Sequence, residues 1–250
     1  MAGAGAPAQC LECSAVASLC YIFFDVDDTL IEWTVSWREV FTVAAREVGV
    51  EVSRERAWQA LENAFGTYYN HYLAQYAASG DELAFWRAYD GRILSDLGVA
   101  GPHLPRATER VIELLKQPHS MRLYDDVPEA LKVLSEHGMR LGIVTGRPRA
   151  EPDLGALGVR DYFHPVIDAF SVGSSKSVGH MFHVAAQVAA EAGLPAWHVG
   201  DNYEDDVLGA QAAGLRAVLL DRKGEREGIE CLCISSLREL IPVVLDGEPK

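Results

Sequence analysis

Three acids, Asp25, Asp27 and Asp28, stand within four positions at the end of an apolar run, in the stretch YIFFDVDDTLIEW. Carboxylates this close repel one another unless positive charge sits among them, so folding alone gains nothing from the cluster. Further along, GIVTGR ends in Thr145 and Gly146, a hydroxyl and an unhindered backbone N–H that suit a phosphate oxygen. VIDAFSVGSSK brings Lys176 up to an expected helix start, adding a cation to a helix end that already favours anions. GDNYEDD places Asp201 directly after Gly200, with Asp205 and Asp206 close behind. These features complement one another: acids in need of positive charge, and groups able to hold an anion.

The elements that must position them can be read from periodicity. CYIFFD is a short aromatic-rich apolar run, the pattern of a buried strand, and its C-terminal end carries the acids. From about Trp33 to Pro118 the pattern changes to helical periodicity punctuated by Gly, Pro and polar residues. From Tyr124 onward helix and strand alternate: VPEALKVLSEHG, with Pro128 near its start and Gly138 at its end, then MRLGIVTG, HPVIDAF, SVGHMFHVAAQVAAEAG, AWHVGD, EDDVLGAQAAG and LRAVLLD. Such alternation predicts parallel strands with right-handed helical crossovers, a doubly wound, Rossmann-like α/β sheet. The expected organisation is a flexible tail over 1–18, an α/β core over 19–32 and 119–250, and an inserted all-helical cap over 33–118. Ligands of open α/β sheets bind beyond the carboxyl ends of the strands, where all the residues above fall, with the insertion placed over them.

At these positions the chain resembles the haloacid dehalogenase-like hydrolases. DVDDT resembles that family's D-x-D-x-T motif, Thr145 its second motif, Lys176 its third, and GDNYEDD its fourth, in order and each at the end of an expected strand. The resemblance runs from about Tyr21 to Leu240. It implies Asp25 as nucleophile and Asp27 as general acid and then base. It implies Thr145, Gly146 and Lys176 as phosphate-binding groups, and Asp25, Asp27, Asp201 and Asp206 as the magnesium-site set. The chemistry is coherent, because a carboxylate nucleophile needs no base to activate it but must approach a phosphate that is also negative. Mg²⁺ and Lys176 would offset that repulsion, and Mg²⁺ prefers a few carboxylates together with phosphate and water.

Asp27 favours a phosphatase within this family, since a halide leaves without a proton whereas an alcohol needs one. The expected function is magnesium-dependent hydrolysis of a small phosphomonoester through an aspartyl-phosphate intermediate. A phosphotransferase or phosphomutase of the same superfamily, and a non-catalytic phospho-ligand-binding domain, are the alternatives. The Pro-Asp-Pro stretch that many relatives carry after the third-motif lysine is replaced here by KSVGHMF, and GSSKS reads equally as a solvated loop. Asp206 is preferred to Asp205 by spacing, and Asp28 reads as a turn acceptor. Tyr68, Tyr72 and Tyr76 recur at helical spacing, either as a packing stripe or, with Trp33 or Trp37, as rings that stack on substrate. His180 and His183 read as ordinary core or surface histidines rather than as a metal pair.

Bulk properties narrow the partners. With 250 residues and 49% hydrophobic content the chain can bury a sizeable core. A net charge of -14 repels nucleic acid and anionic membrane at long range but allows a small anionic ligand where positive charge is local. The resemblance implies a small phosphorylated metabolite as the partner, with the oligomeric state open. No apolar run approaches the roughly 20 residues of a membrane-spanning helix, and the first residues lack the basic region of a secretory signal. The expected compartment is the cytoplasm. The five cysteines, Cys10, Cys13, Cys20, Cys231 and Cys233, fit reduced thiols there better than two zinc-binding pairs.

Overall fold

The computed structural model describes residues 19–117, 119–224 and 230–246. The tail expected over 1–18, with Cys10 and Cys13, lies outside the described residues. The described path starts with β1 (Tyr21–Phe24), a tight turn and β2 (Ile31–Trp33). Five helices follow: α1 (Trp37–Arg46), α2 (Arg54–Thr67), α3 (Tyr69–Tyr76), α4 (Glu82–Asp96) and α5 (His103–Leu115). β3 (Met121–Leu123) then returns to pair antiparallel with β2. The alternating part is α6 (Val127–Glu136), β4 (Arg140–Val144), α7 (Glu151–Ala156), β5 (Phe163–Ile167), α8 (Ala169–Val172), α9 (His180–Glu191) and β6 (Ala196–Gly200). A π-helical stretch, Tyr203–Leu208, leads into α10 (Gly209–Ala212), and β7 (Arg216–Leu220), β8 (Leu232–Ile234) and α11 (Leu237–Asp246) complete the order.

Six strands form one parallel sheet in the order β5-β4-β1-β6-β7-β8. β1 is flanked by strands whose connections run outward in opposite directions, the arrangement that opens a crevice at the carboxyl ends. Alternation along β1 divides the core in two. Tyr21 and Phe23 join the layer of Phe182 and Ala185 on α9, whereas Ile22 and Phe24 join that of Leu131 on α6 and Leu240 on α11. Burial on both faces is what makes these strands read as continuous apolar runs. The doubly wound α/β fold expected from alternation is therefore present.

The β2–β3 ribbon departs from that expectation. Each strand has three residues, too few for alternation to register, and the two pair across the whole helical insertion. The helices attach to the sheet by continuous apolar packing: Phe85 of α4 meets Phe170 of α8 edge-on, with ring centroids 5.6 Å apart. The turn after β1 is tied to the far side of the core by Arg222, which donates to the Thr29 carbonyl at 2.7 Å and pairs with Asp126 at 3.0 Å. No helix among the described residues is long and apolar enough to cross a membrane.

One buried acid serves none of these contacts. Asp90 of α4 is 1% exposed, and neither carboxylate oxygen has a hydrogen-bond partner among the described residues. Burial pushes its pKa well above the ordinary carboxylate value. The folded protein thus holds a proton that the unfolded chain releases, and stability from this group falls as pH rises from the ordinary value toward the folded one. Asp90→Asn has no proton to take up on folding and should therefore stabilise the protein near neutral pH, by up to about 1.4 kcal/mol for each pH unit above the ordinary carboxylate value until the folded acid ionises. Urea unfolding from about pH 5 to about pH 8 should show the advantage growing with pH.

Candidate active site

Asp25 follows directly on β1, Thr145 on β4 and Asp201 on β6, so three adjacent parallel strands deliver their next residues to one place. The Asp25 N–H donates to the Val199 carbonyl of β6 at 2.9 Å, which fixes where its side chain begins. Lys176 enters from a short 3₁₀ turn, Lys176–Val178, that precedes α9. Asp206 comes from the π-helical stretch, whose first turn is held by Asn202 accepting the Asp205 N–H at 3.0 Å. In this stretch Asp206 is buried against Gly200 at the end of β6, and Asp205 is half-buried outside the metal-capable group.

The centre of the site is a buried ammonium shared by two acids. Lys176 Nζ lies 2.7 Å from Asp206 Oδ1 and also pairs with Asp25 Oδ1. Asp206 is fully engaged: its Oδ1 accepts a second bond, from His198 Nε2 at 2.9 Å, and its Oδ2 accepts the Asn202 N–H at 3.1 Å. Burial alone would raise the Asp206 pKa, but Lys176 and the His198 hydrogen bond outweigh it and hold the group far below its ordinary range. Burial lowers the pKa of His198, leaving a neutral ring to donate this bond.

Asp25 and Asp201 fare differently. Burial pushes Asp25 well up, and the acids Asp206 and Asp201 reinforce this against Lys176. Asp201 is raised by burial and by Asp206 to about 7. Three carboxylates around one ammonium leave two negative charges without a partner, and the two raised groups are where that deficit falls. Oxygens of Asp25, Asp201 and Asp206 lie within 4.8 Å of one another, a group able to hold a metal ion. The span suits a Mg²⁺-sized ion, whose opposing ligands stand about 4.2 Å apart. The residues fit such a group: the donors are hard oxygens, and the missing charge is that of a divalent cation.

Of the residues expected at the site, Asp25, Lys176, Asp201 and Asp206 are brought together, and Thr145 is buried at the adjoining strand end. Asp27 is not in the metal-capable group, although the resemblance implied it in that set. The strand ends at Phe24, and the chain then coils so that the N–H groups of Leu30 and Ile31 both donate to the Val26 carbonyl at 2.9 Å. The Asp27 carboxylate instead accepts from Trp33 Nε1 at 2.7 Å and from Arg147 at 3.3 Å. Asp28 occupies the left-handed region at φ 54°, as a turn residue does. Tyr72 packs on Tyr89 and Tyr76 on Phe85, while Tyr68 carries Arg92 over its ring, so the tyrosine stripe packs against α4 and its neighbours. His180 and His183 are exposed.

Four further residues matter that sequence reading passed over. Arg147, next to Thr145 and Gly146, pairs with both Asp27 and Asp153. His198 anchors Asp206. From α3, the Tyr69 hydroxyl donates to the Gly146 carbonyl at 2.6 Å and the Asn70 amide oxygen accepts the Ser175 N–H at 2.9 Å. Only Arg147 had a signal, a cation directly following a phosphate-type turn; the others act across separations that spacing cannot reveal.

Residues 21–214 match the family model described as haloacid dehalogenase-like hydrolase. The chain belongs to this family. Human haloacid dehalogenase-like hydrolase domain-containing protein 3 is 27% identical over 91% of this chain and 86% of its own length. The phosphoserine phosphatase of Thermus thermophilus is 30% identical over 88% of this chain and 96% of its own. Among solved structures, the 2-haloacid dehalogenase of Pseudomonas syringae superposes with a TM-score of 0.62 at 25% identity, covering 91% of this chain and 98% of that one. The hydrolase family anticipated from the motif order is thus established, and with it the parallel sheet.

Gly200 owes its identity to the site. A Cβ there would collide with the carboxylate carbon of Asp206, whereas a Cβ on Gly146 would meet nothing within 4 Å. Gly200→Ala must displace Asp206 from Lys176 and His198. It should cost about 1–3 kcal/mol in urea unfolding, the range of an overpacked core. Gly146→Ala should change stability by less than about 0.5 kcal/mol.

Proposed function

We propose that this enzyme hydrolyses a small phosphomonoester in a magnesium-dependent reaction through an aspartyl phosphate on Asp25. The observation that carries the reading is the buried pairing of Asp25 with Lys176, beside Asp201, which together with Asp25 lacks sufficient positive charge. Mg²⁺ held by Asp25 and Asp201 would offset the repulsion between nucleophile and phosphate. Asp206, whose oxygens are already occupied, holds Lys176 in place.

In the first step an Asp25 oxygen bonds to phosphorus as the bond to the alcohol oxygen breaks. Thr145, Gly146 and Lys176 bind the phosphoryl oxygens, and Lys176 stabilises the charge spread over them. The departing oxygen takes its electron pair and a proton from Asp27, leaving as neutral alcohol. Water then attacks phosphorus, yields a proton to Asp27, and releases phosphate with Asp25 restored as carboxylate. Asp27 favours this reaction over dehalogenation, because an alcohol leaving group uses the proton and a halide does not. The Thermus relative, a phosphoserine phosphatase, supports the same choice.

The five helices between β2 and β3 serve in this reading as a cap that selects the substrate. Their support for the role is that Tyr69 and Asn70 bond to the loops carrying Gly146 and Lys176. Phosphotransfer to an acceptor alcohol is the same chemistry with water replaced, and product analysis separates the two.

Phosphate release from a panel of phosphorylated metabolites should require Mg²⁺ and vanish with a chelator. Asp25→Asn should lower kcat by at least about a thousandfold, as loss of a covalent nucleophile does. Release indifferent to both chelation and Asp25→Asn would overturn the proposal.

A further inference from the structure

Asp27 is the one functional acid held by donors outside the Lys176 cluster, and the manner of its holding is asymmetric. Both Trp33 Nε1, at 2.7 Å, and Arg147 Nη1, at 3.3 Å, donate to the same oxygen, Oδ1. No hydrogen bond is made to Oδ2 among the described residues, and the carboxyl side chain is 39% exposed. An oxygen whose lone pairs face two N–H groups cannot also carry a proton toward a third partner. The proton of the neutral acid is thereby confined to Oδ2, the oxygen left without a donor.

The two donors are themselves fixed. The other end of the Arg147 guanidinium is taken by Asp153 Oδ2 at 2.8 Å. A guanidinium committed to Asp153 gives Asp27 only its longer bond, so it orients the carboxyl without forming a full bidentate pair with it. Arg147 also lies over the Trp33 ring, 5.4 Å from its centre, and Trp33 packs edge-on against Trp37 at 5.0 Å. Trp33, Arg147 and Asp27 thus form a closed triangle braced from both sides.

We infer that Trp33 and Arg147 are positioning residues for proton donation: by occupying Oδ1 of Asp27 they present its Oδ2 to the departing alcohol oxygen. The inference rests on Asp27 being the proton donor of the proposed reaction. It assigns Trp33 a hydrogen-bonding task rather than stacking on substrate. The bond broken is phosphorus to alcohol oxygen, the bond formed is oxygen to hydrogen, and Asp27 is left as carboxylate.

The test is leaving-group dependence. p-Nitrophenyl, phenyl and benzyl phosphates have similar shapes but release progressively less acidic alcohols, so the need for a donated proton grows along the series. Their kcat/KM values, which report the steps up to departure of the alcohol and not the shared hydrolysis of the aspartyl phosphate, would be measured with Mg²⁺ for the wild type, Asp27→Asn, Trp33→Phe and Arg147→Gln. General acid catalysis is worth about 10²–10⁴ in rate, and Asp27→Asn should show most of that loss with benzyl phosphate and little with p-nitrophenyl phosphate. Trp33→Phe keeps an aromatic ring beside Trp37 while removing the N–H and part of the indole, a packing loss common to all three substrates. It should lose about tenfold more with benzyl than with p-nitrophenyl phosphate, a fraction of the general-acid term, and Arg147→Gln should tilt the series in the same direction. A variant that is merely less well folded lowers all three substrates by one factor and leaves the slope untouched. A steep series for Asp27→Asn with both other variants parallel to the wild type would sink the positioning roles and leave the proposed reaction standing. A series for Asp27→Asn parallel to the wild type would remove the proton donor itself, and the inference with it.

Discussion

The site depends on one buried ammonium held between two carboxylates. Taking an ammonium and a carboxylate out of water costs several kcal/mol each, and the attraction between them offsets this only when the geometry is tight and the remaining lone pairs are satisfied. The surroundings of Lys176 meet that condition on one side and not the other. Asp206 has three donors and stays ionised, while Asp25 has Lys176 and little else. The imbalance is built in by the backbone. Gly200 lets Asp206 sit against the end of β6, and the π-helical stretch turns it inward. The stable half of the pair anchors the lysine, and the other half is left as the group with unmet charge, which is the condition a nucleophile toward phosphorus requires.

Much of this was legible in the amino-acid order, for physical reasons. A parallel strand buried on both faces must be apolar throughout, so a polar residue directly after such a run marks the end of the strand. Asp25, Thr145 and Asp201 are each such a residue, and a doubly wound sheet brings those ends together. Helical periodicity likewise announced the insertion. What could not be read were pairings between distant segments too short to carry a pattern. β2 and β3 have three residues each and find one another only after the helices fold between them. The bond from Tyr69 to Gly146, and those from His198 and Arg147, depend on where helices and turns come to rest rather than on spacing. Asp27 is the instructive case: two positions from Asp25 it would share a side in an extended strand, but the strand has already ended and the turn carries it to Trp33.

Two carboxylates so close in sequence therefore occupy different surroundings. Asp25 is buried against an ammonium and other acids, whereas Asp27 is partly open and held by neutral and cationic N–H groups. Groups of one chemical type can take separate parts in a reaction only if their environments separate them, and here the separation follows from a few residues of turn. The helices add a second division. They contribute no carboxylate to the metal-capable group, yet α3 bonds to the loops on either side of it. In the proposed function reactivity would reside at the strand ends and choice among substrates on the surface the helices present, an arrangement that allows one to vary without the other.

The strongly acidic balance of the chain, -14 at neutral pH, does not conflict with an anionic substrate. At physiological ionic strength charges separated by more than about 8 Å of solvent are largely screened, so acids on the outer helices contribute little to the potential at the strand ends. What a phosphate meets there is local: the Lys176 ammonium, the nearby Arg147 guanidinium, and a carboxylate pocket shaped for a divalent cation. Because Asp25 and Asp206 are buried and Asp201 half-buried, their field is screened little, and in the proposed reaction the pocket would repel phosphate until a positive charge entered it. In the proposed reaction that sign sets an order of events: the cation would have to be in place before, or arrive with, the phosphate, and the same crowding of acids that makes the pocket costly would hold the cation.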